Sequence, residues 1–400
     1  MKNMKYCPYK EAKYALSGTV DKFDAVAILD IDGVVNSIKD LKFQELPINA
    51  LTVLQESFRE INLLTGRYAN LFANEGVQKF IECGFDFTKP FRYFAEMGGV
   101  EIYLVEEGEI YKSGSKEITS ERRRMLGILN NDHDKSVINC SSGKVLYWVA
   151  KLHAPEITAE ARNLIWQATK FAIAKQIANG SLEKFGIMPN ESADLWSERL
   201  YNREVENLTK GTVTTSRVPE EYINLAYNVN LEIGDAVANE INKALKDYND
   251  GRATKLEAIH HPDAGCVEVL FEGISKFNTT KSIIEQMDAR AGHKVSNVAT
   301  FGDSYTDISM AQASVSLNRY TVHFHLGGYE EFMADFDKEK GLKPDLVAYC
   351  PDFNTMFKNN RILASATISA VAMWELIDYL QKSKSSDWKT ALNEIPKLDG

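Results

Sequence analysis

A continuous apolar run, Ala25-Val26-Ala27-Ile28-Leu29, stops abruptly at Asp30. Apolar residues without alternation are the pattern of a strand covered on both faces, as in a parallel sheet flanked by helices. Leu51, Leu54 and Phe58 recur at helical spacing, and a second short run, Ile61-Asn62-Leu63-Leu64, ends at Thr65-Gly66-Arg67. Strand, helix and strand in this order predict the start of a parallel α/β sheet. Phe91 to Ala95 predicts a third strand, and Val100 to Val105 with Glu109 to Tyr111 a hairpin around Glu107-Gly108. The alternation returns late in the chain. A helical pattern from Phe277 to Met287 precedes strand-like runs at Val295 to Phe301, Tyr320 to Leu326 and Leu346 to Tyr349.

Between about residues 114 and 267 the pattern changes to long helical stretches, Ala159 to Ala178 and Ile233 to Tyr248, with a strand pair around Pro262-Asp263-Ala264-Gly265. Four hundred residues exceed what one hydrophobic core usually spans. The expected organisation is a catalytic core from residues 1–113 and 268–400, interrupted by an inserted domain at 114–267 that packs on it as a mobile cap. The fold class is α/β: a Rossmann-like parallel sheet with helices on both faces, plus an α/β cap. The tail from Lys358 onward suggests no role.

Composition narrows the function classes. A formal charge of -10 offers no general attraction for nucleic acid or anionic lipid, so neither partner is expected. Five cysteines, widely spaced and without a Cys-x-x-Cys, suggest neither a disulfide framework nor a cysteine zinc site. The polar N-terminal segment and the polar interruptions of the late stretch Ile362 to Leu380 predict no signal peptide and no membrane span. A cytoplasmic location is therefore expected.

The candidate chemistry lies where apolar runs end. The first strand ends in Asp30-Ile31-Asp32-Gly33, and a later one in Gly302-Asp303-Ser304-Tyr305-Thr306-Asp307. Ligands of open α/β sheets bind at such carboxyl ends. Asp303 and Asp307 are four apart where a helix begins, which puts them on one face. Four converging carboxylates repel unless a cation sits among them, and hard oxygen ligands with an anionic substrate select Mg²⁺. Taken alone, Asp-x-Asp-Gly is also a turn motif and Gly-Asp-Ser a helix cap. His323 and His325, two apart on a strand, read as core or edge histidines rather than a zinc site. Asp132-His133-Asp134 reads as a solvated turn, and Arg122-Arg123-Arg124 as a basic helix face. Tyr147, Trp148, Trp166, Trp196 and Tyr201 read as core aromatics. The chain has no Walker-type, Gly-x-Gly-x-x-Gly, Gly-x-Ser-x-Gly or His-Glu-x-x-His motif.

Together the motifs resemble those of the haloacid dehalogenase superfamily of hydrolases. Its first motif is matched by Asp30 to Val34, its second by Thr65, its third by Lys276 in Phe-Glu-Gly-Ile-Ser-Lys, and its fourth by Gly302 to Asp307. Asp30 and Thr65 are 35 residues apart, too close for a cap between them, whereas 210 residues separate Thr65 from Lys276, where C2-type caps are inserted. Thr-Gly-Arg, then Ala95-Glu96-Met97-Gly98-Gly99-Val100-Glu101-Ile102-Tyr103, is similar to subclass IIB. That branch contains the sucrose-phosphate, trehalose-phosphate and mannosylglycerate-phosphate phosphatases, with phosphomannomutase.

The resemblance implies a Mg²⁺-dependent phosphomonoesterase acting on a small phosphorylated metabolite, a sugar, sugar-acid or polyol phosphate, with a phosphomutase as the alternative and a silent binding protein as the rival of another class. It assigns Asp30 as nucleophile, Asp32 as acid and base, and Asp30, Asp32 (through its carbonyl), Asp303 and Asp307 to the metal. Gly33, Thr65, Gly66 and Lys276 are assigned to the phosphate, with Asp307 orienting Lys276 or a metal-bound water.

Overall fold

The computed structural model describes residues 23–36, 43, 45–67, 72, 76–106, 137–139, 145–153, 157–190, 192, 222–224, 227–261 and 266–325. Its main sheet has eight strands in the order β11-β10-β1-β2-β3-β4-β6-β5. The ranges are β1 Ala25–Leu29, β2 Glu60–Leu64, β3 Phe91–Ala95, β4 Val100–Glu106, β5 Val137–Asn139, β6 Val145–Leu152, β10 Asn297–Gly302 and β11 Tyr320–His325. From β11 to β3 all neighbours are parallel; β4, β6 and β5 continue the sheet in antiparallel fashion.

Every residue of β1, β2 and β3 is buried, as the unalternating runs predict. One face of the sheet, through Val26, Ile28, Leu64, Phe94 and Val298, packs on Ile283 and Ile284 of α5 (Lys276–Ala291) and Met310 of α6 (Tyr305–Ser316). The other face carries a cluster of edge-to-face and stacked rings. Phe72 stacks on Tyr93 at 4.7 Å between centroids and meets Phe80 of α2 (Val77–Glu82) edge-on at 5.1 Å. α1 (Glu45–Ser57) connects β1 to β2.

A separate apolar core lies in the insertion. α3 (Ala159–Ala178) and α4 (Tyr227–Asn249) pack on a three-stranded antiparallel sheet ordered β7-β9-β8, with β7 Tyr222–Asn224, β8 Leu256–His261 and β9 Cys266–Phe271. Ile165, Ala172 and Ile173 of α3 and Val237, Ile241 and Leu245 of α4 meet Leu256, Ala258, Val267 and Val269 of the sheet. β8 is an edge strand, whose outward backbone groups need partners. Asn242 and Asn249, seven apart on α4, supply them: each side-chain amide exchanges two hydrogen bonds with one β8 residue, Ala258 and Leu256, at 2.7 to 2.9 Å.

β5 and β6 fall within 114–267, yet Leu146–Leu152 of β6 pair with Val100–Glu106 of β4, so these strands continue the main sheet. The apolar cluster formed by α3, α4 and the three-stranded sheet runs, among the described residues, from Ile157 to Phe271. β4 is flanked by β3 on one side and β6 on the other, while the predicted second arm, Glu109 to Tyr111, and the strand Leu346 to Tyr349 lie outside the described residues, as do Asp132–Asp134 and Arg122–Arg124.

Candidate active site

Adjacent strands β10, β1 and β2 end at the same edge of the sheet, and this juxtaposition assembles residues far apart in sequence. Asp30 follows β1, and its amide donates to the Phe301 carbonyl at 2.9 Å, fixing the two strand ends together. The chain then winds through one tight turn in which the Ile31 carbonyl accepts from the amides of Val34, Val35 and Asn36. Gly33 inside this turn has φ +68°, and a Cβ there would collide with the Asp303 carboxylate. Only glycine satisfies both conditions.

Ser304 caps α6 and Asp307 closes a capping box with it. Asp307 Oδ2 accepts from the Ser304 amide at 3.1 Å, the Ser304 hydroxyl at 2.9 Å and the Asp303 amide at 3.2 Å. Its other oxygen accepts from Lys276 Nζ at 2.5 Å. Lys276 opens α5, which Ser275 caps, and its ammonium also lies 2.9 Å from Asp30 Oδ2. The second Asp30 oxygen, Oδ1, is buried without a hydrogen-bond partner. One carboxylate oxygen each from Asp30, Asp303 and Asp307 lies within 4.8 Å of the others.

Electrostatics show a centre short of positive charge. Burial, reinforced by Asp307 and Asp32, pushes the Asp30 carboxyl up to about 7 despite the pull of Lys276. Burial with Asp307 and Asp30 beside it pushes Asp303 up to about 8. For Asp307 burial works in the same direction, yet the charge and hydrogen bonds of Lys276 and Ser304 outweigh it and hold the group below its usual range. Lys276 is buried too, but its two carboxylates raise it and keep it charged. Buried carboxylates, one with an orphaned oxygen, fit a hard divalent cation of the Mg²⁺ kind. Asp30, Asp303 and Asp307 are the side chains whose oxygens converge where a cation would sit, and the Asp307 oxygens are also engaged by Lys276 and the α6 cap.

Thr65 is buried at the end of β2, and its hydroxyl accepts from the Arg67 amide at 3.1 Å. Gly66 lies under the Met97 side chain. Asp32 is not among the three converging carboxylates: its Oδ2 accepts from Arg67 Nε at 2.7 Å and its Oδ1 from Asn36 Nδ2 at 2.9 Å. Sequence reasoning assigned no role to Arg67 or Asn36. The signal for Arg67 was its place directly after the strand-ending Thr65-Gly66; Asn36 gave none, since its contact depends on the turn folding back.

A strained segment braces this edge. Glu96 and Met97 have φ 54° and 55°, a left-handed conformation that costs non-glycine residues energy. In return the Glu96 amide bonds the Arg67 carbonyl at 2.9 Å, the Met97 amide bonds the Thr65 carbonyl at 2.9 Å, and Thr279 of α5 donates to the Met97 carbonyl at 2.8 Å. His323 donates to or accepts from Thr300 at 2.8 Å, and burial lowers it to about 4, consistent with a neutral core histidine.

The sequence profile of the haloacid dehalogenase-like hydrolases matches residues 28–316, a span that holds every residue of this constellation. The chain belongs to that family. It is accordingly a hydrolase, on a mostly parallel sheet with helices on both sides. Comparison with curated proteins found no match. Among solved structures, a haloacid dehalogenase-like hydrolase from Bacteroides thetaiotaomicron is 14% identical, with 72% of this chain and 85% of that one covered and a TM-score of 0.36. Trehalose-6-phosphate phosphatase from Aspergillus fumigatus is 11% identical over 86% and 97% of the two chains, TM-score 0.36. The C-terminal domain of the C. albicans trehalose-6-phosphate phosphatase is 11% identical over 77% and 79%, TM-score 0.37. No helix among the described residues is long and apolar enough to cross a membrane.

Proposed function

We propose that this hydrolase is a Mg²⁺-dependent phosphomonoesterase acting on a small phosphorylated metabolite of the sugar, sugar-acid or polyol phosphate class, through an aspartyl-phosphate. The observation that carries the reading is Asp30 itself: a buried carboxylate with one oxygen on Lys276 and the other without a partner, beside Asp303. A carboxylate left under-satisfied in a low-dielectric site is poised to bond something brought to it.

In the first step an Asp30 oxygen bonds to phosphorus while the bond to the leaving oxygen breaks and takes its electron pair. Asp32 gives that oxygen its proton. Asp32 then takes a proton from water, whose oxygen attacks phosphorus and releases phosphate and the Asp30 carboxylate. Lys276 and Thr65 bind the phosphoryl oxygens, the ammonium replacing part of its contact with Asp30 by one with substrate. Asp30 and Asp303, with the Asp32 carbonyl, would hold a Mg²⁺, which when bound would neutralise charge on the phosphoryl oxygens. The unit from Ile157 to Phe271 we assign as the cap, which excludes water and carries selectivity.

Release of free phosphate from a panel of phosphorylated sugars, sugar acids and polyols, with Mg²⁺ and then with EDTA, tests this. Mg²⁺-dependent release is expected. Interconversion of positional isomers without release would replace the phosphatase by a mutase, and full activity in EDTA would remove the cation from the reading.

A further inference from the structure

Asp32 sits two residues from Asp30 on the same turn, yet its carboxylate is not among the oxygens that converge on the cation site. Two side chains account for this, one on each oxygen: Arg67 Nε at 2.7 Å and Asn36 Nδ2 at 2.9 Å. Asn36 is 1% exposed, and its own carbonyl oxygen is buried without a partner. An amide buried with half of its hydrogen-bonding capacity unmet costs roughly 1–3 kcal/mol, so its presence there is not explained by stability. The turn holds its backbone, through the amide bond to the Ile31 carbonyl at 3.0 Å and bridges to Asp32 and Phe43. Arg67 is braced in the same way, between the Thr65 hydroxyl and the strained Glu96 amide.

We propose that Asn36 and Arg67 are positioning residues that clamp the Asp32 carboxylate, keeping it for proton transfer and out of the cation's coordination. The proposal rests on the phosphatase reading for its kinetic consequences, but its effect on cation binding does not. A free Asp32 on so short a tether from Asp30 would add a further anionic ligand, bind the cation more tightly and remove itself from the leaving group.

The test is Asn36→Ala, which changes no charge, alone and combined with Asp32→Asn. For Asn36→Ala, kcat is expected to fall about 10- to 100-fold on alkyl phosphates, the range typical of losing a supporting contact, while KM stays within about threefold. Aryl phosphates with good leaving groups should lose far less. Calorimetric titration of Mg²⁺ into the substrate-free protein should show affinity rising by about tenfold. Both effects should vanish when Asp32 is already Asn. Equal losses across leaving groups, unchanged Mg²⁺ affinity, or losses that persist in the Asp32→Asn background would overturn the clamp. Should Asn36→Ala fail to fold by circular dichroism, Arg67→Lys, which keeps the charge but not the Nε geometry, carries the same readouts. A wild-type protein that releases no phosphate defeats the phosphatase reading, whereas the Mg²⁺ titrations still decide the clamp.

Discussion

Two clusters of buried charge lie in this core, and they are built on opposite principles. Across β2, β3, β4 and α5, Arg92 donates from Nε and Nη2 to Glu60 Oε1 at 3.0 and 2.9 Å, and from Nη1 to Glu101 Oε1 at 3.0 Å and Gln286 at 2.6 Å. Arg290 takes Glu60 Oε2 at 2.6 Å and His153 takes Glu101 Oε2 at 2.7 Å. Two carboxylates face two guanidiniums, and all four carboxylate oxygens are bonded. Burial pushes Glu101 up, but His153 and Arg92 outweigh it and lower the group below its usual range. At the strand ends, among the described residues, Lys276 pairs with Asp30 and Asp307 while Asp303 stands beside them without an ion pair of its own, the Asp30 Oδ1 has no partner, and Asp30 and Asp303 are pushed up instead. A satisfied network holds strands together; an unsatisfied one is waiting for a ligand.

The largest expected effect breaks the second cluster chemically while sparing the fold. Asp30→Asn should reduce phosphate release by about a thousandfold or more, roughly 4 kcal/mol of barrier, because an amide is a poor nucleophile. Its thermal midpoint without metal should be unchanged or higher, since the variant removes a charge the site cannot neutralise. A comparable loss of stability would place Asp30 with the structural network. Arg92→Met should do the reverse: it takes the buried partner from Glu60 Oε1 and Glu101 Oε1 together, leaving each carboxylate held only by its rim partner, and should cost about 3–5 kcal/mol in urea unfolding. Stability within about 1 kcal/mol of wild type would show that Arg92 contributes only specificity.

The difference between the clusters was unevenly legible. Asp30, Asp303 and Asp307 stand where apolar runs end, and their carboxylate spacing reports a site before any fold is known. The same runs indicated β1 and β3, and the change to long helical periodicity indicated α3. Nothing in the sequence marked Glu60, Arg92 and Glu101 as a network, because their pairing depends on β2, β3 and β4 being neighbours. Asn36 was invisible for the same reason at shorter range, its partner Asp32 being reached only after the turn forms. β5 and β6 were placed in the insertion because linear order does not reveal that a strand returns to pair with β4.

Acid and base should separate the clusters with opposite signs. Asp30 and Asp303, raised by burial to about 7 and about 8, bind more protons folded than unfolded, where a carboxyl titrates near about 4. Stability of the metal-free protein should therefore fall as pH rises from about 4 towards 8. Glu101 is lowered, so its contribution is present above about 4.3 and is lost as pH falls through its folded value. Urea unfolding in EDTA should show greatest stability in mildly acidic buffer, and saturating Mg²⁺ should remove the decline at higher pH. Stability that rises steadily from pH 5 to 8 in EDTA would contradict the charge imbalance of the strand-end cluster.

The smallest effect grades the satisfied network from its centre to its rim. Arg290 meets Glu60 Oε2, but its side chain is 45% exposed, so water and salt screen the pair and the side chain gives up rotamer freedom to make it. Arg92 continues to hold Glu60 Oε1 when Arg290 is replaced, so no carboxylate is left without a cation. Arg290→Gln should therefore cost less than about 1 kcal/mol, and the cost should shrink further between roughly 50 and 500 mM salt as the screening length falls. Urea unfolding of both variants at the two salt concentrations provides the measurement. A salt-independent loss of several kcal/mol from Arg290→Gln, equal to that from Arg92→Met, would mean that the network depends on its outer arginine as much as on its buried one, and that burial of Arg92 is not what makes it structural.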